Sequence, residues 1–437
     1  MTATLSPDEK KRIEAKPTEN LAAYDLYLRA KELTLRFGFL TSVESPEKPL
    51  AEATSLLEQA VRLDPKFTLA YCELARANGL LYVLDQAPER RSSGEAAIKS
   101  ALRLEPDLPE VHLAYAYHLS YGYDYGESQR TREQLEIAKR GLANNTDLLR
   151  LEAYMDRRQG NWDKAIREYN EAIALDPRNT FSIRELADTY LFSGEFSAAE
   201  KTFDRLIELL PDQPLLKVEK ATIPWAMSAN DGPARSAIAA LPASIVEDRG
   251  VLTMRLFFAL NDRDWPQAKE IIEKFNGRED SGGFAYGRRP VPAGCYSILI
   301  ARLEGEHPGA SAGFAEVREQ LNQKVQKSPE GASFLSQLSV VDALLGNKEV
   351  AVAEAKRAVE MMPISKDAVE GPFIAENLAV VYAWTDEPDL AFKTLVPLAK
   401  RSTAAVSYGQ LKLDPYWDPL RKDPRFDILL AELAPKD

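Results

Sequence analysis

Cysteine is almost missing from this 437-residue chain, and histidine is nearly as scarce. Cys72 and Cys295 are the only thiols. So far apart, they give neither a disulfide framework nor the paired spacing of a zinc site, and they suit a reducing compartment. The three histidines are His112, His118 and His307. His112 and His118 stand six apart, on different faces of a helix, so they cannot share a metal as an i, i+4 pair does. His307, close to Gly305 and Pro308, reads as a turn residue. Long apolar runs are also lacking: a membrane-spanning helix needs roughly 18 such residues, and Leu256–Leu260 is flanked by Arg255 and Asn261. The first ten residues are too polar for a signal peptide. Positive charge is in deficit, with 55 Lys and Arg against 67 Asp and Glu, a balance of −12. That disfavours nucleic acid or a membrane surface as partner. No Gly-x-Ser-x-Gly occurs, and the Gly-rich stretch from Ser281 lacks the Gly-Lys-Ser/Thr of a phosphate loop. No catalytic group, metal site or cofactor is therefore expected, and the chain reads as a cytoplasmic non-enzyme.

What is present is a repeat. Between Thr146 and Pro211 one 34-residue pattern runs twice, end to end. Ala153 pairs with Ala187, Gly160 with Gly194, Trp162 with Phe196, Ala165 with Ala199, Tyr169 with Phe203, Ala172 with Leu206 and Pro177 with Pro211. A fixed period of that length points to stacked helical hairpins. Small residues such as Ala153 and Ala165 let the two helices of a hairpin approach, and Tyr169 and Phe203 fill the gap to its neighbour. Gly160 and Gly194 supply a turn with positive φ, and Pro177 and Pro211 end the second helix.

The second copy, Ile183, Leu186, Ala187, Tyr190, Gly194, Phe196, Ala199, Phe203 and Pro211, resembles the tetratricopeptide repeat pattern nearly throughout. The first copy departs from it at Glu152 and Asp156, where Leu186 and Tyr190 stand in the second. The resemblance implies an all-α, α-α superhelix (solenoid) of about ten hairpins, whose function is to bind protein or peptide partners. A second resemblance covers only about thirty residues: Leu5-Ser-Pro-Asp-Glu, Lys16-Pro-Thr-Glu-Asn and Ala23-Tyr-Asp-Leu-Tyr-Leu-Arg. This segment is similar to the junction that follows a TolB-like domain in bacterial signalling proteins. It implies the alternative function, a regulatory or self-association module of a larger cyclase, kinase or winged-helix regulator.

Along the chain, residues 1–20 read as a polar leader or linker, 21–275 as an N-terminal array and 276–294 as a Gly/Pro-rich loop. Residues 295–403 read as a C-terminal array, and 404–437 as a tail whose short helix caps the open apolar end. Inserted loops are expected around Asp85–Gly94 and at Tyr121–Gly126.

In such arrays the first helix of each hairpin lines the concave face. The side chains there that escape the packing pattern are Tyr115, His118, Arg150, Tyr154, Arg157, Arg158 and Arg184. Guanidinium groups beside tyrosine suit an acidic peptide, because they bind carboxylates bidentately. Arg150, Tyr154 and Arg157 share one helical stripe, and Arg184 follows Arg150 by one period. The alternative is an internal network with Asp156, Asp163 or Glu185.

Overall fold

A computed structural model describes residues 16–36, 47–85, 87–121, 128–275, 291–306, 312–329, 331–401 and 405–435. Every regular element among them is helical, and they build ten hairpins. In chain order these are α1 (Leu21–Arg36) with α2 (Glu47–Leu63), α3 (Thr68–Asp85) with α4 (Pro88–Leu104), and α5 (Pro109–Tyr121) with α6 (Ser128–Leu142). The reference copies follow, α7 (Thr146–Arg158) with α8 (Trp162–Leu175) and α9 (Thr180–Ser193) with α10 (Phe196–Leu209). In the sixth hairpin the first helix is broken into α11 (Pro214–Ala221) and α12 (Ile223–Ser228), because Pro224 cannot continue the backbone ladder; α13 (Gly232–Ala239) returns. Then come α14 (Arg249–Asn261) with α15 (Trp265–Lys274), α16 (Gly294–Leu303) with α17 (Ala312–Lys327), α18 (Ala332–Leu345) with α19 (Lys348–Met361), and α20 (Glu370–Trp384) with α21 (Pro388–Ala399). The tail holds α22 (Tyr408–Leu413), a 3-10 stretch at Pro415–Leu420, and α23 (Pro424–Leu433).

The 34-residue register is visible in the packing. Ala153, Ala187, Ala165, Ala199 and Tyr169 are fully buried, and Phe203 and Leu206 nearly so. Gly160 and Gly194 take φ of 78° and 77°, the left-handed turn that the spacing demands. Where the first copy carries Glu152 and Asp156, the buried carboxylates are paired instead of replaced: Lys139 reaches Glu152 at 2.8 Å and Lys164 reaches Asp156 at 2.9 Å. Ala199→Leu is expected to overpack its site and lower stability by about 1–3 kcal/mol. A melting curve that matches wild type within error would show that the Ala199 site has room to spare.

One expectation needs correction. The stretch around Asp85–Gly94 is helical from Pro88 onward, because Pro at the first helical position is pre-set in φ and loses no hydrogen bond there. Gly94 lies inside α4, and a Cβ added to it would stand 2.9 Å from His118 Nδ1. Of the expected loops at Tyr121–Gly126 and 276–294, residues 122–126 and 276–290 lie outside the described residues, as does His307, while Tyr121 ends α5 and Gly294 opens α16.

The described residues form two compact units. The first holds residues up to 155 together with 168–181, and its core gathers Ala23, Tyr27, Ala53, Leu57, Phe67 and Ala70, with the Tyr27 and Phe67 rings 5.1 Å apart. The second holds 156–167 and the chain from 182 on.

The second unit is closed by its own chain. The segment before α20 lies against the turn after α7: Ala368 N–H donates to the Arg158 carbonyl at 2.7 Å, and Arg158 Nε donates to Asp367 at 2.6 Å. Phe192 and Phe373 meet edge to face with centroids 6.5 Å apart. Farther on, α22 docks on α12 so closely that a Cβ on Gly409 would fall 1.8 Å from the Trp225 carbonyl oxygen. Beside it Arg263 Nη1 donates to the Leu413 carbonyl at 2.5 Å, while Nη2 pairs with Asp418. Arg263 (φ 57°) and Ala229 (φ 59°) hold the left-handed turn that glycine takes in other hairpins. Such a conformation costs a residue with a Cβ about 1 kcal/mol or more, and at both turns the tail supplies the compensating contact. Phe426 and Leu429 of α23 are buried in the core that also contains Leu395 and Leu398.

Candidate functional site

The side chains expected to line a groove are mostly engaged within the protein. In the first unit, Arg130 donates to the Tyr115 hydroxyl at 2.5 Å. His118 packs against Gly94, and burial, then the nearby Arg91, pushes its pKa below the ordinary value. Arg150 is buried: its guanidinium lies 4.0 Å from the Phe181 ring centroid, bonds to the Tyr117 hydroxyl at 2.6 Å and pairs with Asp147 at 3.0 Å. Burial alone would raise the Asp147 pKa, but Arg76 and Arg150 outweigh it and hold the carboxyl below its usual range. Tyr154 is half-buried beside the core of Leu148 and Leu151.

In the second unit Arg157 pairs with Glu185 at 2.8 Å and reaches the Thr189 hydroxyl at 3.3 Å. Arg158 meets Asp367, as above. Arg184 meets Asp188 at 3.1 Å and Glu219 at 2.6 Å, with its guanidinium 5.6 Å from the Phe203 centroid. The four arginines of the expected cluster thus each hold a carboxylate of the chain. For Arg157 the partner is Glu185, one of the three carboxylates the sequence offered.

Arg184 is shared between buried Glu219 and half-buried Asp188, and burial pushes the Glu219 carboxyl up to about 7 against an ordinary 4.5. A raised acid pKa favours the folded state while the group is protonated. Its contribution is complete below about 4.5 and is lost as pH rises through about 7. Melting temperature is therefore expected to fall across that window, and Glu219→Gln to flatten the fall. An identical pH profile for wild type and Glu219→Gln would place the titration elsewhere.

A cleft that sequence reasoning missed lies wholly in the second unit. Three successive first helices, α16, α18 and α20, line it, with Tyr416 of the tail at one end and a volume of about 70 Å³. The helices project polar groups into an otherwise apolar wall of Val340, Val341, Phe373 and Val380. Ser333 Oγ donates to Glu370 Oε2 at 3.0 Å, and Asn377 Nδ2 donates to Ser336 Oγ at 2.9 Å. Glu376, 1% exposed, accepts from Gln410 Nε2 of α22. Gln410 is itself fixed by a capping box with Ser407. Each partner positions the next, so the polar rim is preorganised. A signal was present in the sequence: α20 is apolar along most of its length yet carries Glu376 and Asn377 in its middle. Among the described residues no group of three or more His, Cys, Asp or Glu could hold a metal ion, and no helix is long and apolar enough to cross a membrane.

A tetratricopeptide repeat family profile matches residues 157–218. No curated protein matches the chain. Among solved structures, a thermophilic TPR protein of Thermus thermophilus is 19% identical; the match covers 46% of this chain and 98% of that one, with a TM-score of 0.37. PilW, a type IV pilus biogenesis factor, is 18% identical over 50% of this chain and 92% of its own, with a TM-score of 0.35. A monomeric mutant of human IFIT1 with Gppp-AAAA is 14% identical, over 78% of this chain and 76% of its own, with a TM-score of 0.44. Residues 157–218 thus match a tetratricopeptide repeat within a chain whose described residues form an all-α helical-repeat architecture of ten hairpins.

Proposed function

We propose that the chain is a non-catalytic scaffold that holds an extended segment of a protein partner in the cleft lined by α16, α18 and α20. The observation that carries this reading is the convergence of hydrogen-bonding side chains from three consecutive first helices on one apolar-walled cleft. An extended peptide has backbone donors and acceptors along its whole length. Ser333, Gln337 and Asn377, spread over two helices, suit such a chain better than a compact metabolite. The alternative location, the arginine stripe, is less favourable. A carboxylate ligand at Arg150, Tyr154, Arg157, Arg158 and Arg184 must compete with Asp147, Glu185, Asp367, Asp188 and Glu219, which already hold the guanidiniums. Tyr115 and His118 belong to that alternative as well.

The test is selection from a random peptide library on the purified protein, counter-screened with Ser333→Trp, whose indole fills the cleft. Selected peptides are expected to bind wild type and lose Ser333→Trp. Peptides that bind both equally would move the binding surface elsewhere.

The narrower reading, a regulatory or self-association module of a bacterial signalling protein, rests on the resemblance of the N-terminal segment to the junction after a TolB-like domain. Residues 1–15 of that segment lie outside the described residues. Sedimentation of the purified chain tests the self-association part: a single monomeric species across the micromolar range would remove it.

A further inference from the structure

The tail that follows the tenth hairpin folds back to the sixth. On the way it meets first helices, the elements that also build the cleft. Gly409 sits on α12, where a Cβ would stand 1.8 Å from the Trp225 carbonyl oxygen and 3.3 Å from the Ala229 Cα. Gln410 Nε2 donates to Glu376 of α20, which lines the cleft. The Leu413 carbonyl accepts from Arg263 Nη1 in the turn after α14 at 2.5 Å, and the Asp418 carboxylate pairs with Nη2 of the same guanidinium. The Tyr416 carbonyl accepts from Trp384 Nε1 at 2.9 Å, and Tyr416 itself lines the cleft. Leu411 and Trp417 add fully buried apolar anchors.

These are the contacts of a bound peptide. Backbone carbonyls meet fixed donors, a glycine permits close approach, and a carboxylate meets a guanidinium. The receiving side shows a second, independent sign. Arg263 and Ala229 hold left-handed φ of 57° and 59° at the two turns that meet the tail. Backbone strain of this kind gathers at ligand clamps and switch regions.

Resting on the peptide-scaffold reading, we infer that residues 407–420 are an intramolecular stand-in for the partner, an autoinhibitory strap that keeps the first-helix face from α12 to α20 closed until a partner segment of like chemistry displaces it. That segment carries a glycine for α12, an amide donor for Glu376 and, farther along, a carboxylate for Arg263. Tethering favours occupation by the tail, because a linked segment has a high effective concentration at its site.

The probe is a fluorescein-labelled synthetic peptide of residues 405–420, followed by anisotropy against the full chain. Gly409→Ala and Asp418→Lys both alter the tail and spare the face it covers. The first adds a Cβ against Trp225, and the second sets an ammonium against Arg263. Each variant is expected to bind the wild-type peptide about tenfold or more tightly than the wild-type protein does, since apparent affinity scales with the fraction of molecules whose face is open. Adding Arg263→Ala to either variant is expected to remove most of that gain, because the peptide loses its anchor. A peptide carrying Gly409→Ala is expected to bind far more weakly than the wild-type peptide. Helical circular dichroism of each variant guards against misfolding, and Asp418→Lys, at a half-buried position, serves where Gly409→Ala fails to fold.

The inference is overturned by equal peptide affinity in wild type and both tail variants, by absent binding to all three, by a gain that survives Arg263→Ala, or by equal binding of the Gly409→Ala peptide. Any of these makes the tail a permanent cap. Its failure is separable from that of the scaffold reading. Library peptides that lose Ser333→Trp yet bind wild type and Asp418→Lys equally would leave the scaffold standing and remove the strap.

Discussion

Gly409→Ala is expected to detach the C-terminal tail from the helices it closes. The added Cβ would lie 1.8 Å from the Trp225 carbonyl oxygen and 2.8 Å from its carbon, with the Ala229 Cα at 3.3 Å. These are backbone atoms, so no rotamer change relieves the overlap. Either α22 moves away or α12 bends. Small-to-large changes in packed sites cost about 1–3 kcal/mol where side chains can adjust, and here they cannot. Loss of the contact also exposes the strained turn at Ala229 and frees the Leu413 carbonyl from Arg263. The expected result is a clearly lowered melting temperature, together with rapid proteolytic cleavage just before α22. Gly346→Ala provides the contrast: its φ of 91° is unfavourable to alanine, yet no atom stands within 4 Å of the added Cβ. It should cost about 1 kcal/mol and leave the tail protected. Equal protease resistance in wild type and Gly409→Ala would mean that α22 is not packed on Trp225 in solution.

Arg158→Ala should be the most damaging single substitution among the arginines. Asp367, fully buried, accepts from Arg158 Nε and from the backbone N–H groups of Val369 and Glu370, both at 2.8 Å. Removing the guanidinium leaves a buried carboxylate held by two amides alone, and breaking a buried pair in this way costs about 3–5 kcal/mol. The double variant Arg158→Ala/Asp367→Asn should recover part of the loss. The asparagine oxygen still accepts from the two amides and no longer carries a charge that must be neutralised. Urea midpoints for the two singles and the double give the coupling directly. Additive losses would show that the pair does not link the α7 turn to the segment before α20.

Much of this was legible in the chain itself. The period of 34 fixed where helices start, turn and stop, because the residues that set it act locally. Gly160 and Gly194 reach a left-handed φ that costs other residues free energy, and Pro177 and Pro211 cannot continue a helix. Small and aromatic residues at fixed offsets likewise marked the buried face of the two hairpins between Thr146 and Pro211. The tetratricopeptide resemblance implied about ten hairpins, and the described residues contain ten.

What the chain could not reveal was which charged groups meet. Arg158 and Asp367 are 209 positions apart, and Arg263 and Asp418 are 155 apart. No local rule links residues at such separations. On one helix, an arginine stripe facing a ligand and one facing its own neighbours read alike. Only tertiary structure decided that the guanidiniums of Arg150, Arg157, Arg158 and Arg184 hold carboxylates of the protein, because buried charges require partners and the folded chain supplied them. The cleft was hidden for the same reason: Ser333, Glu370 and Glu376 are ordinary helix residues until the stacking of α16, α18 and α20 brings them to one wall.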